Sequence, residues 1–183
     1  MTTSIPSLIS IPYNVFASPA ASILLPIALG TTTGLGSGVK QSQTAYHAMK
    51  QPPLSPPAQV FGPAWTLLYG LMGYASHRAI TMSPPSSAST DKMGALYTIQ
   101  LGVNILWMPL FFGMRRVDLA AADIVLLAGL NGYLTYLYFS VDNLAGWCQV
   151  PHLAWLAFAT YLTGGVGYLN NWDISKAKLG KRV

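Results

Sequence analysis

Hydrophobic positions along this chain gather into five long blocks, near residues 18–39, 58–80, 93–114, 119–140 and 147–169. Each is long enough to cross a bilayer as a helix, because about 20 residues rising ~1.5 Å apiece cover a ~30 Å hydrocarbon core. The pattern predicts an all-α integral membrane protein, a five-transmembrane-helix bundle forming a single domain over residues 1–183. Polar stretches divide the blocks unevenly. Residues 40–57 form a long first loop containing Gln and Pro, Ser83 to Asp91 a shorter polar one, and the last two connections are brief. Short connections make consecutive spans run antiparallel. The second block opens on Pro56-Pro57, residues suited to a first helical turn that lacks partners for its N–H groups, so a helix is expected from about Ala58. Pro63 then removes a backbone bond and is expected to bend the axis just before Trp65, carrying an indole inward.

Composition narrows the class further. Of 183 residues 52% are hydrophobic and 8% charged, with no Glu, against roughly 25% charge in ordinary soluble domains. The formal net charge of +5 raises the question of nucleic acid. The basic residues lie at block edges without interleaved aromatics, however, so no nucleic acid is expected as a partner. The single Cys148 excludes an internal disulfide and reads as an inert thiol in an apolar helix. Lys40, Lys50, Arg115, Arg116, Lys176, Lys178, Lys181 and Arg182 fall on one side of the five blocks, and only Arg78 and Lys92 on the other. Basic residues are retained in the cytosol, so the C-terminus and the first and third loops are expected there. No charge precedes Lys40, so the first span is expected to act as its own address.

Polar residues inside spans face protein or a cavity, since lipid makes them costly. Gln100, Asn104 and Trp107 recur at helical spacing on one face. Helical rise puts Asn104 about 16 Å and Asp123 about 12 Å from the cytosolic edge, with Trp65 at similar depth. Trp65, Asn104, Trp107 and Asp123 are therefore expected to meet in the cytosolic half of the bundle, beneath the first loop. Trp155, Ala159 and Leu162 share a face of the fifth span. Gly30, Gly34 and Gly38 give the first span a smooth stripe, read either as close helix packing or as cavity space. Trp147 and Trp172 read as interface anchors. Asn104 is alternatively a link between helices, and Asp123 a partner of Arg115 or Arg116. His77 and His152 fall near the non-cytosolic edge, without metal-type spacing, so no metal site is expected. Gly94, Thr98 and Gly102 offer a face for a homodimer.

The run Pro56-Pro57, Val60-Phe61-Gly62-Pro63-Ala64-Trp65, Leu68-Tyr69 and Met72-Gly73-Tyr74, then Asn104, Trp107, Pro109, Phe111-Phe112-Gly113 and Pro151 to Phe158, resembles the translocator protein family. This family is also called tryptophan-rich sensory protein or the peripheral benzodiazepine receptor. The likeness runs from Pro26 onward. It implies a five-helix bundle with a pocket open or lidded on the cytosolic side. It implies binding of tetrapyrroles such as protoporphyrin IX and haem, and of cholesterol or other sterols, lipids or synthetic drug-like ligands, with no obligatory cofactor. Carried across, the ligand pocket falls on Gly34 and Ser37, then on Phe61, Gly62, Ala64 and Trp65. It continues through Asn104, Trp107, Leu119, Ala122, Asp123 and Leu126 to Trp155, Ala159 and Leu162. Porphyrins suit such a wall, because flat macrocycles seek indole and phenyl faces and need small residues for room.

Two departures stand out. Gln59 replaces an aromatic common among relatives, and Leu119 a Trp of animal members. The sterol-recognition segment of animal relatives maps onto Gly164 and Tyr168 and is not retained. Looser patterns of that kind occur at Leu71, Tyr74 and Arg78 and, reversed, at Lys92, Tyr97 and Leu101. The function expected is binding for transport, sensing or scavenging. The alternative is an enzyme for light- and oxygen-dependent porphyrin breakdown, with Trp65 and Trp155 as participants. Catalysis by ordinary means lacks a nucleophile and base pair, a metal cluster or a phosphate loop. The resemblance makes the outer mitochondrial membrane the first expected address, with the endoplasmic reticulum or another secretory membrane as the alternative.

Overall fold

The computed structural model describes residues 9–85 and 87–174. Among these the chain is helical, without strands. Its elements are α1 Tyr13–Ala17, α2 Pro19–Gly36, α3 Val39–Ala48, α4 Ala58–Met82, α5 Ala88–Met108, a π-helical turn Pro109–Gly113, α6 Val117–Phe139 and α7 Asn143–Leu169. The five long helices fall on the five hydrophobic blocks, with ends shifted by up to six residues, the largest shifts being at the two ends of α5, Ala88 and Met108. Ser87 caps that start, accepting the Thr90 N–H at 3.2 Å. The stretches Pro19–Gly36, Ala88–Gly113 and Val117–Phe139 are long and apolar enough to cross a membrane by length and composition.

The helices close into a ring in the order α2, α4, α7, α6, α5. Chain neighbours are not always the closest partners. α4 packs mainly on α2 and α7 and touches α5 only lightly, despite the short connection between α4 and α5. The tightest approach is at Gly73, where a Cβ would meet the backbone of Ser22 and Ile23. That end of the bundle encloses a core of Phe16, Met72, Tyr97, Leu101, Leu134 and Tyr138. Arg78 and Asp142 pair beside it. Asp142 also caps α7 by accepting the N–H groups of Leu144 and Ala145 at 3.3 and 3.2 Å. The guanidinium of Arg78 holds its carboxyl below the usual carboxylate range.

Several expectations change in detail. The glycine stripe does three different things. A Cβ at Gly30 would strike the Tyr69 ring, Gly34 has nothing within 4 Å, and Gly38 has φ +74° and breaks the chain out of α2. Residues 40–57 are not all loop, since ten residues form α3. α1 lies ahead of the first hydrophobic block, and its Phe16 meets Tyr97 edge-on at 5.5 Å. The expected dimer face is partly covered by the chain itself. The Ile11 N–H donates to Thr98 Oγ1 at 2.8 Å, and Gly94 abuts Ser10 and Phe16. Tyr97 and Leu101 are buried, which withdraws the reversed sterol pattern from the surface. α4 runs unbroken through Pro63. α7 ends in a Schellman motif, with Asn171 at φ +53° and the Trp172 N–H reaching the Gly167 carbonyl at 2.7 Å. Lys176, Lys178, Lys181 and Arg182, on which half of the charge asymmetry rests, lie outside the described residues.

Candidate functional site

Away from the Gly73 contact, the ring of helices encloses a cavity of about 420 Å³. α4 contributes Phe61, Gly62, Trp65 and Tyr69, spaced so that one helical face points inward. α5 contributes Asn104, Trp107 and Met108. The π-turn after Met108 then swings Phe111 and Phe112 into the same wall. It starts at Pro109, whose missing N–H interrupts the α-helical ladder, and within it the Met114 N–H reaches back five residues to the Pro109 carbonyl at 2.8 Å. Trp107 stacks on Phe111 with ring centres 4.8 Å apart. From α7 come Trp155, Ala159 and Leu162. Trp65 and Trp155 meet edge to face at 6.3 Å, and Phe61 meets Trp155 at 6.0 Å. The indole N–H groups of Trp107 and Trp155 are buried without a partner among the described residues.

α3 and the strand of chain after it roof the cavity, supplying Val39, Ser42, Gln43, Tyr46 and Gln51. The roof is tied down at both ends. Tyr46 Oη donates to the Pro56 carbonyl at 2.7 Å, and Gln51 Nε2 to the Tyr46 carbonyl at 2.7 Å. Burial raises the Tyr46 phenol, which stays a donor at neutral pH. Tyr161 Oη on α7 donates to the Pro53 carbonyl at 2.8 Å. The Lys50 backbone and the Asn170 side chain bond reciprocally, at 3.1 and 2.9 Å. Met49 is buried beside Phe111, Val117 and Val166.

The structure brings together Gly34, Phe61, Gly62, Trp65, Asn104, Trp107, Trp155, Ala159 and Leu162 of the residues the sequence pointed to. It places the others elsewhere. Ser37 lines a neighbouring cavity of about 330 Å³ with Gln41 and Arg115. Ala64 lies half-buried beside the cavity without lining it. Leu119, Ala122 and Leu126 lie on the exposed face of α6, where Ile124 and Leu127 face inward instead. The register explains this: Leu119, Ala122 and Leu126 follow one helical stripe, and Ile124 and Leu127 lie on another. Asp123 is half-buried with one carboxyl oxygen unpartnered among the described residues. Arg116 bonds Asp118 through both Nε and Nη2, at 2.9 and 2.6 Å, and not Asp123.

Sequence reasoning missed Tyr69, although its spacing four residues after Trp65 is the signal for it. The two rings lie 5.4 Å apart. It also misplaced His152. That residue is fully buried in the bundle, with its ring edge-on to Trp65 at 6.0 Å and its two nitrogens 3.3 Å from Asn104 Nδ2 and Gln149 Nε2. His77 donates through Nδ1 to the Phe16 carbonyl at 2.6 Å, because a carbonyl can only accept. Among the described residues no cluster of His, Cys, Asp or Glu has the makings of a metal site.

A closed ring of helices around a roofed aromatic cavity, with few polar groups on its wall, defines the class: a helical protein with an internal cavity of small-molecule size. Residues 22–169 match the TspO/MBR family, and the chain belongs to that family of integral membrane proteins. It is 41% identical over 163 residues to the translocator protein homolog of Schizosaccharomyces pombe, covering 86% of this chain and 98% of the relative. The human translocator protein matches at 34% over 144 residues, 79% of this chain and 85% of its own. The tryptophan-rich sensory protein of Cereibacter sphaeroides matches at 35% over 133 residues, 73% of this chain and 80% of its own.

Proposed function

We propose that the chain crosses a membrane five times and holds a tetrapyrrole, protoporphyrin IX or haem, in the cavity between its helices, for transport, sensing or scavenging. The observation that carries this reading is the meeting of Phe61, Trp65, Trp107 and Trp155 around one space of about 420 Å³. Small-molecule sites are roughly 300–1,000 Å³ and mostly apolar, with a few polar groups that fix orientation. Aromatic faces suit a flat macrocycle, and Gly34 and Gly62, with nothing within 4 Å of a built Cβ, leave room for it. The apolar wall also accommodates a sterol or another lipid. The tetrapyrrole is a ligand, and no cofactor is obligatory.

Five spans are supported by five helices of 18 to 27 residues and by outward apolar side chains such as Leu24, Leu67, Leu106, Val125 and Trp147. Lys40 and Lys50 adjoin the roof residues Val39 and Gln51, which by the charge rule supports a cytosolic cavity mouth and a cytosolic C-terminus. The outer mitochondrial membrane is the favoured location, with the endoplasmic reticulum or another secretory membrane as the alternative. The relatives' names, translocator and sensory protein, support transport or sensing.

Quenching of tryptophan fluorescence by protoporphyrin IX tests the site. Trp65→Phe, Trp155→Phe and Asn104→Leu should each weaken binding, and unaltered affinity in all three refutes this cavity as the site. The contact between Trp65 and Trp155 favours one second reading, oxidative breakdown of the porphyrin under light. Illumination of the complex in air should then bleach the Soret band with wild type and not with those two phenylalanine variants. Persistence of the band in wild type excludes it.

A further inference from the structure

One chain of buried amides runs from the heart of the bundle to the cavity wall. Asn131 Nδ2 lies 2.9 Å from the Leu127 carbonyl and 3.2 Å from Gln100 Oε1. Its Oδ1 lies 2.7 Å from Gln149 Nε2. Gln149 Nε2 lies 3.3 Å from His152 Nδ1, and His152 Nε2 lies 3.3 Å from Asn104 Nδ2. Asn104 Oδ1 ends the chain 2.7 Å from Tyr69 Oη, at the cavity wall. Asn131, Gln149 and His152 are completely buried, so none can draw on bulk water for a missing partner.

With these amide orientations both ring nitrogens of His152 face an NH₂ group. A neutral imidazole accepts at one nitrogen and donates at the other, so one contact sets donor against donor. One amide must turn, and the ends of the chain decide which. The Leu127 carbonyl only accepts, which fixes the Asn131 NH₂ toward it and Asn131 Oδ1 toward Gln149. Gln149 must then donate from Nε2, and His152 Nδ1 must accept. The ring proton therefore sits on Nε2. A half-turn of the Asn104 amide, which exchanges its O and N and leaves its shape unchanged, supplies the acceptor that this proton needs. Asn104 then presents its NH₂ to Tyr69 Oη. The phenol accepts there, and its own proton is left for the cavity.

We propose that Tyr69 is the ligand-orienting donor of this cavity, held in that role by the relay from the Leu127 carbonyl through Asn131, Gln149, His152 and Asn104, and that it selects flat ligands carrying a carbonyl or carboxylate oxygen. The ring is positioned for it, since it is fixed between Gly30, where any Cβ would overlap it, and Trp65. Asn104, Gln149 and His152 are positioning residues that act through Tyr69. The inference deepens the tetrapyrrole reading, whose propionate oxygens are acceptors of this class, and relies on it only for the choice of probe.

Two measurements test the two halves. In ¹⁵N-histidine-labelled protein, the His152 resonance, identified by its loss in His152→Gln, should report the Nε2–H tautomer. The Nδ1–H tautomer overturns the relay. In parallel, affinities are measured for protoporphyrin IX, which has two carboxyl groups, and for etioporphyrin, which carries only alkyl groups. Tyr69→Phe should weaken protoporphyrin IX about tenfold, the scale of a hydrogen bond to a charged group, and leave etioporphyrin unchanged. Equal weakening of both, or of neither, overturns the donor role. Binding of neither porphyrin by wild type refutes the tetrapyrrole reading, and the tautomer still decides the relay.

Discussion

The two ends of this helical ring use the same residue type in opposite ways. At one end Gly73 lets α4 lie against the backbone of α2 at Ser22 and Ile23, and the helices close on a core of Met72, Tyr97, Leu134 and Tyr138. At the other end Gly34 meets nothing within 4 Å, and the helices stand apart around Trp65, Trp107 and Trp155. At Gly73 the missing side chain lets two backbones draw together. At Gly34 it leaves open space in the cavity wall.

The largest effect should come from filling the closed end. Gly73→Val forces a branched side chain into backbone atoms that cannot yield, and should cost about 3 kcal/mol or more in thermal unfolding in micelles. Gly34→Val should leave stability within about 0.5 kcal/mol while weakening porphyrin binding by occupying the cavity. Equal melting losses in the two variants would erase the contrast between the ends. Next in size, Asn131→Leu strips the amides of Gln149 and Gln100 of a partner and should cost about 1–3 kcal/mol, although Asn131 does not itself line the cavity.

Smaller effects sharpen the contrast. Asn170→Ala removes the reciprocal tie to Lys50, worth about 1 kcal/mol, so hydrogen exchange should accelerate across residues 49–55 and porphyrin should dissociate faster. Unchanged exchange would mean that the other ties suffice to hold the roof. The smallest effect belongs to the closed end. Asp142 is held below its ordinary value by Arg78, so the stability it contributes is full above the unfolded pKa of about 3.9 and is lost as pH falls through the lower folded value. Asp142→Asn, which keeps an effective N-cap, should flatten that part of the acid profile, read as melting temperature against pH.

Sequence alone carried the long helices, because a continuous apolar block needs no partner to declare itself. It also carried Trp65, Asn104, Trp107 and Trp155, whose polar or aromatic character at depth marks an inward face. α3 was not legible, since Val39–Ala48 is polar and is held as a helix by its place over the cavity. The π-turn had only Pro109 as a signal. His152 looked peripheral from its position in the chain. Its burial follows from α7 starting at Asn143 and from the facing amides of Asn104 and Gln149.

Sequence determined the helical class, the family and the aromatic character of the wall, all of which depend on residue type and spacing along one helix. The tertiary structure decided which faces meet: that Leu119, Ala122 and Leu126 turn outward and Ile124 and Leu127 inward, that Gly30 clamps a ring while Gly34 opens a space, and that a histidine joins two helices to Tyr69. These depend on rotation and separation between helices. Both are set by the sum of many contacts across the bundle, which no single stretch of chain contains.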